Sequence, residues 1–284
     1  MIIKKEVRIR DVIGVIILSS AIILGLYLLI TFLIGIHLDK DIYILALGIL
    51  MIFILSINII QSKDHLKYMY TDFKIKVNLK EIGGRYLNSL VINLGIEYLL
   101  VGILILINAS FTNKILNTSS SKEILYTGSI IINSIKVVMI APILEEIIYR
   151  KVIFIRLSKK TNKGIGLILS SIIFGLSHAK ESMFFAILFG IVLCILYLKY
   201  ENILVPIFLH FINNLMSTLI LLGSLGKKSS GATTFVYQGS RSYLIFGSIS
   251  TIIGLYFYIR YINKNKAYLK IDKNQNNKTE VKYT

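Results

Sequence analysis

The sequence predicts an all-α membrane protein: a polytopic bundle of about eight transmembrane helices with both termini in the cytoplasm. Three observations lead there. Apolar runs of around 20 residues recur along a 284-residue chain that is 55% hydrophobic, and ~20 apolar residues is the length an α-helix needs to cross ~30 Å of hydrocarbon. The runs are continuous rather than alternating, which argues against a membrane β-barrel. The loops also differ in charge. With spans at residues 12–36, 42–60, 86–107, 124–148, 164–178, 183–199, 203–222 and 243–261, the N-terminus and every second loop hold about three-quarters of the 32 Lys and Arg residues. That bias is the positive-inside pattern. The formal net charge of +17 therefore reads as topology, with attraction to anionic lipid as a second effect. The lipid bilayer is an expected partner and nucleic acid is not.

Each segment follows in order. Residues 1–60 form two almost featureless apolar helices, expected to be anchors. The first follows Lys4, Lys5, Arg8 and Arg10 in the manner of a signal peptide, but it is longer than the ~7–15 residues of an h-region and lacks a convincing cleavage site. A retained span is expected. Residues 61–85 read as a basic cytoplasmic loop with mixed aromatics. Residues 86–222 hold nearly all the intramembrane polar groups and form the expected catalytic core. Residues 223–262 combine a Gly/Ser/Lys-rich outer loop with the last span, and residues 263–284 read as a disordered polar cytoplasmic tail. The single cysteine, Cys194, lies in an apolar span, so no disulfide framework exists. No internal repeat of the kind common in transporters is visible.

Ionisable groups within a bilayer cost on the order of 2.5–3.5 kcal/mol each on insertion scales, so they mark function. Three constellations carry such groups. In the first, Glu145 and Glu146 end a long apolar helix and Arg150 follows. Glu146 and Arg150 are i,i+4 neighbours able to pair, while Glu145 is turned about 100° away and is freer to face a cavity. Neighbouring carboxylates in unlike environments suit one to be a general base and the other a structural group or metal ligand. The bland alternative is a charged helix end at the interface. The second constellation is Phe174 and His178, one helical turn apart in a span with several small residues that permit close packing. Its bland alternative is a histidine satisfying a carbonyl. The third is His210 and Asn214, one turn apart deep in another apolar helix. That pair could hold a water or polarise a carbonyl, or simply make an interhelical hydrogen bond.

The only two prolines, Pro142 and Pro206, precede Glu145 and His210 by three and four residues. Each removes a backbone bond and tends to kink its helix, and irregular backbone in membranes is tolerated where it lines a protein or water cavity. Glu97 and Lys136 are expected to pair between the third and fourth spans. His37 and His65 fall in loops and receive no role.

Taken together and in this order, Glu145-Glu146-x-x-x-Arg150, Phe174-x-x-x-His178 and His210-x-x-x-Asn214 resemble the motifs of the CPBP family. These are the CAAX-protease and bacteriocin-processing intramembrane enzymes, formerly called Abi proteins. The resemblance covers roughly residues 123–222. It implies endoproteolysis of a hydrophobic or membrane-associated peptide, with Glu145 and His178 activating water, His210 and Asn214 stabilising the oxyanion, and Glu146 and Arg150 orienting the site. It leaves open whether a divalent metal takes part: Glu145, His178 and His210 could complete a three-ligand zinc site with an open water position. It does not bring a prenylated substrate with it. The Ile-, Lys-, Asn- and Tyr-rich composition suits an AT-rich genome, so a bacterial cell membrane and a pheromone- or bacteriocin-like peptide are expected. The competing classes are a non-enzymatic immunity or regulatory protein on the same scaffold and, behind it, a proton-coupled transporter.

One tension stands within these expectations. Residue counting puts Glu145 towards the cytoplasmic side and His178 towards the outer end of its helix. A shared site needs tilted helices or a fourth helix that runs well past Arg150.

Overall fold

Apolar runs with every backbone polar group to be satisfied in lipid can only become helix or closed barrel, and here they become helix. The structure, a computed structural model, describes residues 9–35, 40–59, 63–122, 130–224 and 240–269. Nine helices are formed among them: α1 (Ile9–Ile34), α2 (Lys40–Ile59), α3 (Lys63–Lys76), α4 (Leu79–Lys122), the composite α5, α6 (Lys163–Leu176), α7 (Met183–Tyr200), α8 (Leu204–Ser224) and α9 (Ser240–Asn265), the last followed by a 3₁₀ turn (Lys266–Leu269). Helix α5 changes winding along its length. It runs as α-helix over Ile130–Ile135, π-helix over Lys136–Ile140, α-helix over Ala141–Glu146, π-helix over Ile147–Phe154 and α-helix over Ile155–Lys160.

Six of the helices (α1, α2, α4, α7, α8 and α9) are long and apolar enough to cross a bilayer, and the protein is an integral multi-pass membrane protein. The expected count of eight spans is not reached on that measure. Helix α6 has 14 residues, about 21 Å at 1.5 Å per residue, which is short of ~30 Å of hydrocarbon. Helix α5 is interrupted by its two π segments. Lys4, Lys5, Arg8, His37, most of the 223–242 loop and the tail beyond Leu269 lie outside the described residues.

The segment expected as a loop over 61–85 is instead largely helical. Helix α3 turns Phe73 onto Phe208 of α8, ring centroids 5.5 Å apart. Asn202, at the turn before α8, donates to the Met69 carbonyl at 2.8 Å and to Asp72 at 3.2 Å. Tyr68, Tyr70 and Ile75 remain exposed. The segment is thus a charged helix anchored on α8 by one face rather than a loop.

Small residues set the closest approach in the bundle. Gly95 and Gly102 of α4 face Thr251 and Leu244 of α9, while Gly247 and Gly254 of α9 face Leu99 and Ile92 of α4. A Cβ built on Gly247 would lie 2.5 Å from the Leu99 backbone nitrogen. This is the small-residue packing that brings membrane helices together without a hydrophobic drive between them. The main core gathers around α7, whose Leu193, Ile195 and Leu196 are almost wholly buried.

The two N-terminal helices do more than anchor. Val12, Val15 and Leu55 pack with Ile147 and Val152 of the second π segment. The expected Glu97–Lys136 pair does not form. Lys136 Nζ lies 2.6 Å from Asp41 Oδ1 at the start of α2, and Glu97 accepts from Asn93 within its own helix at 2.8 Å. A lysine takes whichever carboxylate its helix packs against, and α5 packs against α2 here.

Candidate active site

Four turns of helix bring the polar groups together, and the α5–α6 hairpin sets their register. Asn162 caps α6 by accepting from the Ile165 N–H at 2.9 Å. Gly166 packs so tightly on Ser158 that a Cβ there would stand 2.6 Å from the Ser158 nitrogen. From that contact Glu145 lies 13 residues back along α5, and His178 lies 12 residues onward, two past the end of α6. The two helices run in opposite directions, so both paths lead the same way and the two side chains end beside each other. The tension between their predicted depths is resolved by α5 continuing to Lys160, well past Arg150.

An inner ionic pair forms the floor. Arg150 Nε lies 3.0 Å from Glu146 Oε2, and their side chains are 1% and 0% exposed. The contact is an ion pair whose angle falls outside hydrogen-bond geometry. Of the other two guanidinium nitrogens, Nη2 reaches the Gly190 carbonyl at 3.5 Å and Nη1 is buried without a hydrogen-bond partner, and the guanidinium stacks 4.4 Å from the centre of the Phe174 ring. His210 Nδ1 sits 3.0 Å from Glu146 Oε1. Since a carboxylate accepts, Nδ1 carries the proton and donates, leaving Nε2 turned away from the floor.

The outer pair is half-exposed. His178 Nδ1 donates to the Phe174 carbonyl, one turn back, at 2.7 Å, which again fixes the tautomer and frees Nε2. Glu145 Oε2 then stands 3.8 Å from His178 Nε2 and 3.9 Å from His210 Nε2. Glu145 and His178 side chains are 29% and 28% exposed, against 4% for His210. One carboxylate oxygen, without a hydrogen-bond partner in the protein, thus faces the Nε2 atoms of two oriented imidazoles.

Phe174 is the hub that holds this geometry. Its ring lies 4.5 Å from His178, 5.9 Å from His210 and 5.0 Å from Tyr149 between centroids, with Arg150 over its face. Phe189 supports His210 from the other side at 5.5 Å. Tyr149, Phe189 and Gly190 were not legible as site residues. Gly190 is the one that left a trace, as a small residue in an otherwise bulky apolar helix.

Asn214 is placed differently from its companions. Its Nδ2 donates to the Val137 carbonyl at 2.9 Å, and that carbonyl is special. In the first π segment the Ala141 N–H bonds five residues back to the Lys136 carbonyl. The next bond in that register would run from residue 142 to Val137, but residue 142 is proline and has no N–H. Asn214 supplies the missing donor from a neighbouring helix. Pro206 produces no comparable break. It lies in the first turn of α8, which begins at Leu204, where the N–H it lacks would have had no helical partner.

Tetrahedral zinc with bonds of about 2.0–2.1 Å needs donor–donor edges of about 3.3 Å. The two edges from Glu145 are 3.8 and 3.9 Å, and no group of three His, Cys, Asp or Glu with metal-holding geometry occurs among the described residues. As placed, these donors stand wider apart than a zinc ion requires.

Fold and site together define a multi-pass helical membrane protein with an oriented Glu–Glu–Arg and two-histidine cluster between its helices. Residues 127–216 match the family of type II CAAX prenyl endopeptidases, Rce1-like, over the same segment that carries the CPBP-like motifs. A Bacillus subtilis (strain 168) protein named "Putative membrane peptidase YdiL" is 40% identical over 95 residues, covering 33% of this chain and 37% of that protein. The similarity thus spans little more than a third of the curated relative's length. No solved structure matches the chain.

Proposed function

We propose that the protein is an intramembrane endopeptidase that hydrolyses a peptide bond in a hydrophobic or membrane-associated peptide. The observation that carries this is the convergence of Glu145 Oε2 with the Nε2 atoms of His178 and His210 at 3.8 and 3.9 Å. These separations are too long for direct hydrogen bonds. A water about 2.8 Å from both Glu145 Oε2 and His178 Nε2 would subtend roughly 85° between them. That geometry meets the requirement that a base reach its proton directly or through one water.

In this reaction Glu145 takes a proton from the water as the water oxygen bonds to the substrate carbonyl carbon. His178 accepts the second hydrogen bond and aims the lone pair. His210, in its protonated form, keeps Nδ1–H on Glu146 and offers Nε2–H to the developing oxyanion. Protonated Glu145 then gives its proton to the leaving nitrogen as the C–N bond breaks. Glu146 and Arg150 are positioning residues. Asn214 acts one step back, holding the π segment that presents Glu145. A half-exposed outer pair over a buried floor suits a peptide entering from the lipid. The name of the matched family and that of the Bacillus subtilis relative both favour a membrane peptidase.

The test is cleavage of quenched-fluorescent hydrophobic peptides by purified protein in detergent, comparing wild type with Glu145→Gln and His178→Ala, each with and without chelator. Loss of at least about 10²-fold in both variants is expected from removing a general base or its partner. Cleavage equal in all three proteins would sink the proposal. Chelator sensitivity of the wild type would restore a metal to the site.

A further inference from the structure

The start of α4 and the ends of α7 and α9 enclose a pocket of about 400 Å³. Five of its lining residues are cationic: Lys80, Arg85, Lys199, Arg260 and Lys264. Glu81 is the acid among the lining residues, and its charge is already engaged: Lys199 Nζ and Tyr200 Oη both donate to its Oε2, at 2.6 and 2.7 Å. Arg85 is the unusual member. Its guanidinium stacks 4.2 Å from the centre of the Tyr261 ring, yet its Nε and Nη1 are buried with no hydrogen-bond partner. Two buried guanidinium donors without acceptors are costly to hold, and an anionic oxygen would satisfy either of them.

We propose that this pocket is a phosphate-binding site whose occupant is the headgroup of an anionic phospholipid. The chemistry is that of a phosphodiester. Arg85 supplies unpartnered donors from within, while Lys80, Arg260 and Lys264 add charge at the rim. The location decides for lipid over free phosphate. All three contributing helices are long and apolar enough to cross the bilayer, and the pocket is lined by residues at their ends. Basic pockets between helix ends on the cytoplasmic face are where anionic headgroups bind, and the charge bias of the loops puts this face in the cytoplasm. The site is independent of the proposed peptidase chemistry.

The experiment is native mass spectrometry of the full chain in detergent, titrated with phosphatidylglycerol, with phosphatidylcholine, and with inorganic phosphate. Three variants accompany the wild type: Arg85→Gln, Arg260→Gln at the exposed rim, and Lys67→Gln, which removes an exposed charge of α3 outside the pocket. Phosphatidylglycerol is expected to bind at least about fivefold tighter than phosphatidylcholine, since each basic group near the surface contributes about that factor. Arg85→Gln and Arg260→Gln should each erase about fivefold of that preference, and Lys67→Gln less than twofold. Equal affinity for the two lipids, or a preference that Lys67→Gln reduces as much as the pocket variants, would overturn the site. Displacement of phosphatidylglycerol by inorganic phosphate in an Arg85-dependent way would overturn the lipid assignment. If Arg85→Gln fails to fold, Arg260→Gln alone decides.

Discussion

Arg150→Met removes the cation from a nearly solvent-free floor, and the structure sets what that should cost. Glu146, 0% exposed, would be left with His210 as its remaining partner. Breaking a buried ion pair from one side costs about 3–5 kcal/mol, because a charge is left uncompensated. The guanidinium also leaves the Phe174 face, a contact of about 0.5–2 kcal/mol. Glu146→Leu should cost a similar amount, through Arg150 left unpaired and His210 Nδ1 left without its acceptor. The double variant, Glu146→Leu with Arg150→Met, removes both charges while keeping much of the volume. It should therefore be clearly less destabilised than the two singles summed, with a coupling of about 2 kcal/mol or more. Equilibrium unfolding in mixed detergent micelles reads all four corners of the cycle. Cleavage should stay lost in the double variant, since His210 would no longer be oriented. A coupling below about 0.5 kcal/mol would refute the ion pair as the organising contact. Recovery of cleavage would refute its role in positioning His210.

Three further outcomes are expected. Asn214→Ala leaves the Val137 carbonyl without a donor and should cost about 1 kcal/mol. In a Pro142→Ala background the new N–H can serve that carbonyl, so the same substitution should become nearly neutral in unfolding experiments. Gly190→Ala would set a Cβ 3.2 Å from Phe174 Cδ1 and from Ser171 Cβ. Displacing the hub ring should cost about 1–3 kcal/mol and slow peptide cleavage more than it weakens peptide binding, read as kcat against KM. Lys136→Met takes from Asp41 the cation that meets its Oδ1 at 2.6 Å, leaving the Asn133 amide at 3.3 Å, and should lower stability by about 1 kcal/mol. Glu97→Gln, which disturbs a contact within one helix, should stay within about 0.5 kcal/mol. The reverse ranking in a thermal or denaturant series would contradict the Asp41 pairing.

Much of the site was legible because helical periodicity is local. The i,i+4 spacing puts Glu146 beside Arg150 and Phe174 beside His178 whatever the helices pack against. The 100° step between Glu145 and Glu146 separates an outer from an inner carboxylate by the same rule. Pro142 announced an irregularity without saying what it was for. Lys136 misled because a buried lysine advertises only that it needs a carboxylate, and two were in reach by sequence. Residues 61–85 misled in another way, since their charge pattern hid an amphipathic helix whose apolar face is defined by α8.

From sequence alone came an integral bundle of apolar helices, the CPBP motifs in their order, and the relations within each helix, since those follow from composition and the 3.6-residue turn. Tertiary structure decided every relation between helices. It matched Glu145 to His178 through the Ser158–Gly166 contact, and gave Asn214 to the carbonyl that Pro142 cannot serve. It also set Gly190 behind Arg150 and left two donors of Arg85 facing a basic pocket. These depend on the register of one packed helix against another, which is fixed by side-chain fit across the interface and has no period in the chain to reveal it.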